Sequence, residues 1–304
     1  MARYKGAIRY YEAGRSGRIL RLRAAESVVR GAISIVNAIA TGKGATMGIS
    51  LEVHAVITVS AGSGIIINRR SNLSRRLAES TVRQIVPRKV LSDKQIRVEV
   101  SSEIPAGYGL KSSSAISSAI SLACHKIFQP DAGDQEILLA GVDASMDAGV
   151  SITGAYDDAC ACYYGGFVVT DNYARMIERR QQVPEDIMAI VFIPASARRR
   201  NPRRLAENRT SFETAWQMAK DSDYWGAMLL NGSSAGPILG TDATILSKLK
   251  EAGALGASVS GNGPAVAATA RGRAVSRVRD VLESMDGRII TSRANNRKAR
   301  AHMI

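Results

Sequence analysis

No apolar run in this 304-residue chain is long enough to cross a bilayer. The longer ones, Ile65–Ile67 and Ile187–Ile193, fall far short of the roughly 20 residues that a spanning helix requires. The amino terminus, M-A-R-Y-K-G-A-I-R-Y-Y-E, lacks the apolar segment of a secretory signal. A cytoplasmic protein with no membrane partner is therefore expected. Cysteine is scarce: Cys124, Cys160 and Cys162 are an odd number without zinc-ligand spacing, and read as reduced, buried thiols. The three histidines, His54, His125 and His302, fall in strand, helix and tail patterns without a metal-like partner. Aromatic residues make up only 5%, and no base-stacking motif is among them. Acid is short relative to base, 27 against 41, which leaves a net charge of +14. Such a charge favours anionic partners, either nucleic acid or small substrates bearing phosphate and carboxylate. Its densest cluster, Arg198–Arg204, is interrupted by Pro202 and reads as a basic loop. Neither G-x-x-x-x-G-K-[ST] nor the dinucleotide G-x-G-x-x-G occurs.

What is present is a mixture of strand and helix periods. Residues 1–27 are basic and weakly patterned, an irregular lead-in or an edge strand. From Ile49 to Val59 apolar residues alternate with Ser50, Glu52, His54 and Thr58, the signature of a half-buried strand. A turn at Gly62–Gly64, a polar helix around Ser74–Val86 and a strand at Ile96–Val100 follow. Ile116, Ile120, Cys124 and Ile127 then recur at helical spacing. A helix is expected over Asp134–Asp147, followed by the loop V-S-I-T-G-A-Y-D-D-A and a strand at Phe167–Val169. Strand Ile187–Ile193, one largely helical stretch Phe212–Leu230, and two apolar arms over Ala257–Ala268 joined by a Gly-rich turn come next. Helix Val275–Met285 and strand Arg288–Thr291 close the pattern. The elements do not alternate strictly, so the class expected is α+β.

The stretch P-A-G-Y-G-L-K-S-S-S-A (Pro105, Ala106, Gly107, Tyr108, Gly109, Leu110, Lys111, Ser112, Ser113, Ser114, Ala115) lies between a strand and a helix start. A helix N-terminus leaves about four N–H groups unpaired and carries roughly half a positive charge. Glycines let the backbone approach a pyrophosphate, Lys111 adds a full charge, and hydroxyls donate to phosphate or ligate Mg²⁺. One serine is explained as a cap, but three in a row are not.

Pro105-x-x-x-Gly109-Leu110-x-Ser112-Ser113 resembles the phosphate loop of the GHMP kinases, a superfamily of small-molecule kinases whose usual form is P-x-x-x-G-L-G-S-S-A. Lys111 replaces the last glycine and Ser114 the alanine, a departure similar to the archaeal shikimate kinase branch. Three further segments agree in order: Ile35–Ala45 (I-V-N-A-I-A-T-G-K-G-A), Thr153–Ala159 (T-G-A-Y-D-D-A) and Ser260–Ala267 (S-G-N-G-P-A-V-A).

The resemblance implies ATP and Mg²⁺ as cofactors, a small-molecule acceptor (shikimate) as partner, and no specific nucleic acid. It implies a ribosomal-protein-like N-terminal lobe over residues 28–175 packed on a ferredoxin-like lobe over 176–304. Residues 105–115 would bind nucleotide, with Lys111 stabilising the transferring group. Counting back seven positions from Gly165 makes Asp158 the catalytic acid, whereas counting forward from Gly154 favours Asp157. Asp147, eleven residues before Asp158, and Ser113 would hold the metal. Lys43 would bind the acceptor's carboxylate or keep the aspartate ionised, with Asn37, Gly261, Asn262 and Gly263 also beside the acceptor. The rival readings are another GHMP kinase, homoserine kinase first, and an RNA-binding protein. The G-L-K-S-S-S loop argues against the first, and the acidic pair against the second.

Overall fold

The structure, a computed structural model, describes residues 23–68, 74–196 and 200–304. In chain order the first half contains β1 (Arg23–Val36), β2 (Lys43–Ala61), β3 (Gly64–Ile67), α1 (Arg75–Ile85), α2 (Arg88–Asp93), β4 (Lys94–Ser102), α3 (Ser112–Phe128), α4 (Asp134–Asp147) and α5 (Tyr156–Tyr164). The second half contains β5 (Phe167–Asp171), β6 (Met176–Gln181), β7 (Ile187–Pro194), α6 (Arg209–Lys220), α7 (Tyr224–Leu239) and α8 (Ala243–Glu251). It ends with β8 (Gly256–Val259), β9 (Val266–Arg271), α9 (Ala274–Glu283), β10 (Gly287–Arg293) and β11 (Arg300–Met303).

Two sheets organise these elements. The first runs β11-β1-β2-β4-β3, with β5 and β6 added through β2, and all its pairings are antiparallel except β3 with β4. Strand β2 is long enough to serve two partners: Lys43–Met47 pair with β5, and Val53–Ala61 with β4. The second sheet is antiparallel in the order β10-β7-β9-β8. Numbered along the chain, that order is 4-1-3-2, with helices between its first and second and between its third and fourth strands. This is the ferredoxin-like arrangement expected for the C-terminal lobe. The lobe boundary expected at residue 175 does not divide the sheets, because β6 and β11 return to the first one.

Most elements lie where the periodicity places them. Helix α4 spans Asp134–Asp147 as expected, and α1 is capped by Ser74, whose side chain accepts from the Leu77 N–H. Three expectations need correction. Strand β1 begins at Arg23 and is paired on both sides, so Arg23–Ser27 are neither lead-in nor edge strand; residues 1–22 lie outside the described residues. Beyond Val28 it is buried on both faces, which erases the period-two signal. The stretch Phe212–Leu230 is two helices, broken where Ser222 takes a left-handed φ of 74° and Asp223 caps α7 through the Gly226 N–H at 2.9 Å. Residues Tyr156–Tyr164, expected as loop and small-residue segment, form helix α5 with Asp157 and Asp158 in its first turn. Alanines and cysteines on α5 are buried all round, leaving no amphipathic stripe to read, while its two acids suit a helix N-terminus.

One apolar core joins α3, α4 and α5 to the first sheet and reaches β7, α6 and α7. A smaller cluster of Ala40, Leu205, Phe212, Ala235, Ile238, Leu239 and Val259 seats the start of α6 against the turn before Lys43.

Candidate active site

The loop between β4 and α3 is bent by two left-handed glycines, Gly107 (φ 89°) and Gly109 (φ 83°). Gly109 is forced by space as well, since a Cβ there would stand 1.9 Å from the Ser260 carbonyl oxygen. The turn between β8 and β9 holds the loop down. Ser260 Oγ donates to the Gly109 carbonyl at 2.8 Å, and the Ala265 N–H donates to the Tyr108 carbonyl at 3.3 Å. Leu110 is buried beneath, while Ala106, Gly107 and Tyr108 face solvent. Lys111 is left-handed too (φ 63°), an uncommon state for a residue with a side chain, and it opens α3. The Ser112, Ser113 and Ser114 hydroxyls have no hydrogen-bond partner among the described residues. Three unpaired hydroxyls at a helix N-terminus are the donors an anion requires.

The first turn of α5 faces this loop. Lys111 Nζ lies 2.8 Å from Asp158 Oδ1, with side-chain exposures of 6% and 15%. Asp157 is buried deeper: the Asn172 amide donates to its Oδ1 at 2.8 Å, and Thr46 Oγ1 lies 3.2 Å from its Oδ2. The same Thr46 hydroxyl is 3.4 Å from Asp158 Oδ1, so one threonine touches both acids. Gly44 is required here, because a Cβ would meet Asp157 Oδ2 at 2.4 Å. Burial pushes the Asp158 carboxyl up to about 7, helped by the Asp157 charge and opposed by Lys111. Burial works against the Lys111 cation, but Asp158 and Asp157 outweigh it and its pKa is raised. The cluster is therefore two carboxyls sharing one ammonium.

Lys43 is not the cation paired with the aspartate. Its ammonium pairs with Glu213 on α6 at 2.5 Å and lies 4.7 Å from the centre of the Trp216 ring, so the cation on the aspartate is Lys111. Asn37 is a structural tie: its amide donates to the Gly261 carbonyl at 2.8 Å, and its N–H donates to Asn231 Oδ1 at 2.9 Å. Gly261, Asn262 and Gly263 form the β8–β9 turn, with the Gly261 N–H donating to Ser34 Oγ at 3.0 Å. This turn touches the phosphate loop directly, since a Cβ on Gly261 would lie 3.2 Å from Lys111 Nζ.

Asp147 ends α4, exposed, with its Oδ2 accepting from Gln84 Nε2 on α1 at 2.7 Å. No group of three or more His, Cys, Asp or Glu able to hold a metal is present among the described residues. A magnesium ion bound mainly by nucleotide phosphates does not require one. Asp147 Oδ1 and the unpaired Ser113 hydroxyl are hard oxygen donors of the right kind. Thr46, Asn172, Glu213 and Trp216 were not singled out in the sequence. Of these only Thr46 carries a mark in the sequence, directly following the Ile35–Ala45 segment.

Comparisons with known proteins identify the family. Residues 72–166 match the GHMP kinases N terminal domain, and residues 218–286 match GHMP kinases C terminal. A shikimate kinase of Methanosarcina acetivorans is 37% identical over 277 residues, covering 88% of this chain and 93% of that protein. A shikimate kinase of Methanothermobacter thermautotrophicus is 34% identical, covering 89% and 95%. Among solved structures, homoserine kinase from Cytophaga hutchinsonii superposes with a TM-score of 0.72 at 15% identity, covering 97% of this chain and all of that one. Backbone likeness at that identity speaks for the fold alone, but the archaeal sequences match along both lobes, and the chain belongs to the GHMP kinase family.

Proposed function

We propose that this chain is a shikimate kinase, transferring the γ-phosphoryl group of ATP to the 3-hydroxyl of shikimate. The observation that carries the chemistry is the Lys111–Asp158 pair set against the open N-terminus of α3. The substrate rests on the archaeal relatives, matched over most of the chain, and on the G-L-K-S-S-S loop. Phosphoryl transfer requires little covalent help, so the protein mainly positions groups and neutralises charge. In this reading residues 105–115 receive the phosphates, with the three serine hydroxyls and the first amides of α3 as donors. Asp158, the more accessible acid, takes the proton of the 3-hydroxyl as its oxygen bonds to the γ-phosphorus and the bond to the departing ADP breaks. Lys111 bridges the two halves of the site: it lowers the Asp158 pKa against burial and lies beside the loop that holds the phosphates. Asp157 fixes Thr46 and Asn172 and is a positioning residue. Asp147 and Ser113 would hold Mg²⁺, which supplies positive charge to the phosphates. Lys43 is the cation offered to the shikimate carboxylate, beside a wall made by Asn37, Gly261, Asn262 and Gly263. The proposed setting is the cytoplasm, in keeping with three buried free thiols.

Homoserine kinase remains the alternative acceptor chemistry on the same fold. ADP release with shikimate, homoserine, mevalonate and galactose separates the two. Shikimate alone should stimulate turnover, and equal turnover of homoserine would overturn the substrate while leaving the family intact.

A further inference from the structure

We propose that Glu213 is a clasp on Lys43 that the acceptor's carboxylate displaces, so that Lys43 changes partner when the acceptor binds. This deepens the shikimate reading and rests on it. Lys43 directly precedes Gly44 on β2, and the alternation of the strand turns its side chain away from the face that Gly44 presents to Asp157 and toward α6. The side chains of the pair are 29% and 43% exposed, which lets a small anion reach the ammonium.

The resting arrangement is also poised to open. Glu213 gives Lys43 one oxygen, Oε1, while its Oε2 is buried with no hydrogen-bond partner. A buried carboxylate oxygen without a donor is costly, and release of the side chain toward water would satisfy it. Lys43 would not be left unsupported. The Trp216 ring, one turn along α6 from Glu213, lies 4.7 Å from its ammonium. That ring is fixed by burial and by its indole N–H, which donates to the Thr170 carbonyl at 3.0 Å. An incoming carboxylate and Glu213 carry the same charge and compete for one cation. Exchange is therefore favoured over sharing, and an acceptor without a carboxylate cannot displace the clasp. Glu213 is in this sense a specificity-determining residue that binds no substrate atom.

The test has a sign that a structural role would not produce. Glu213→Gln keeps the size and removes the competing charge. The KM for shikimate should fall by about twofold to fivefold, the range set by a partly exposed ion pair. The KM for ATP should not move, nor should that for the methyl ester of shikimate, whose blocked carboxylate cannot replace Glu213. Glu213→Ala, with a thermal melt matching the parent, should lower the shikimate KM as well. A shikimate KM that is unchanged or raised in both folded variants overturns the clasp, as does an equal gain for the ester. A parent enzyme that phosphorylates shikimate while the variants show no gain overturns the clasp alone. A parent that neither binds nor phosphorylates shikimate overturns the substrate reading and the clasp together.

Discussion

The Lys111 ammonium lies 2.8 Å from Asp158 Oδ1, although the lysine belongs to the phosphate loop and the aspartate to a helix 47 positions further along the chain. In the proposed function, this one ion pair ties the nucleotide half of the site to the acceptor half. The charge on Lys111 is felt at Asp158, because both side chains are largely buried and screening is weak.

The first consequence separates two adjacent acids. On the first turn of a helix, side chains of consecutive residues point about 100° apart, so Asp157 and Asp158 face different surroundings. Asp157 is engaged with Asn172 and Thr46, whereas Asp158 pairs with the Lys111 cation and is the more exposed of the two acids. Asp158→Asn should lower kcat by about 10²–10⁴-fold with little change in the KM for ATP. Asp157→Asn should instead lower the melting temperature, with a smaller effect on kcat. Kinetics of both variants beside their melts decide between them, and a folded Asp158→Asn enzyme with near-normal turnover would remove Asp158 from the mechanism.

A second consequence concerns pH. Burial and the neighbouring Asp157 charge hold the Asp158 carboxyl up to about 7, so the base is protonated below that pH and ionised above it. The acid limb of the kcat/KM profile should therefore rise through about pH 7, well above the range of an ordinary carboxylate. Lys111 is the group that opposes the upward shift. Lys111→Met should move the limb to higher pH, in addition to weakening nucleotide binding. A limb that stays in place when Lys111 is removed would show that another group titrates.

Magnesium affords a third check. One oxygen of Asp147 is already held by Gln84, which leaves the other free. Asp147→Ala should raise the Mg²⁺ concentration required for half-maximal rate, because a charged ligand is lost. Gln84→Ala, which frees the carboxylate without removing it, should leave that requirement much closer to the parent value. An unchanged Mg²⁺ dependence in Asp147→Ala would assign the ligand elsewhere.

How far the molecule was legible beforehand depends on the range of the interactions. Helix α3 and the glycine turn before it were readable because their signals are local: helical apolar spacing in one, glycines and hydroxyls before a helix in the other. Strand β1 and helix α5 were not, because both are buried on all sides and carry no alternating or amphipathic pattern. The ribosomal-protein-like and ferredoxin-like lobes came from the resemblance, not from periodicity, and only the structure shows β6 and β11 returning to the first sheet. Within the site, residue types were readable and partners were not. Thr46 meets the aspartates across 111 positions and Lys43 meets Glu213 across 170, distances over which one sequence has no pairing signal.

Gly44 offers the strictest test of how the acidic cluster is built. Its backbone is in β2, paired with Thr170 of β5, so a side chain would be tolerated conformationally. Space forbids it: the added Cβ would stand 2.4 Å from Asp157 Oδ2, 2.7 Å from its Cγ and 3.0 Å from the Ala38 Cβ. Asp157 cannot retreat cheaply, because moving it breaks its bonds to Asn172 and Thr46 and leaves a buried carboxylate without donors. Overpacking of this kind costs about 1–3 kcal/mol, so Gly44→Ala should lower the melting temperature by several degrees. It should also lower kcat, since Thr46 contacts both acids and the shift is passed to Asp158. Gly261→Ala acts differently: it strains a left-handed backbone (φ 56°) and presses on the Gly109 backbone and the end of Lys111, so it should lower the melting temperature and raise the KM for ATP. Equal effects of the two substitutions on kcat and the KM for ATP would show that the two walls of the cleft are not distinct.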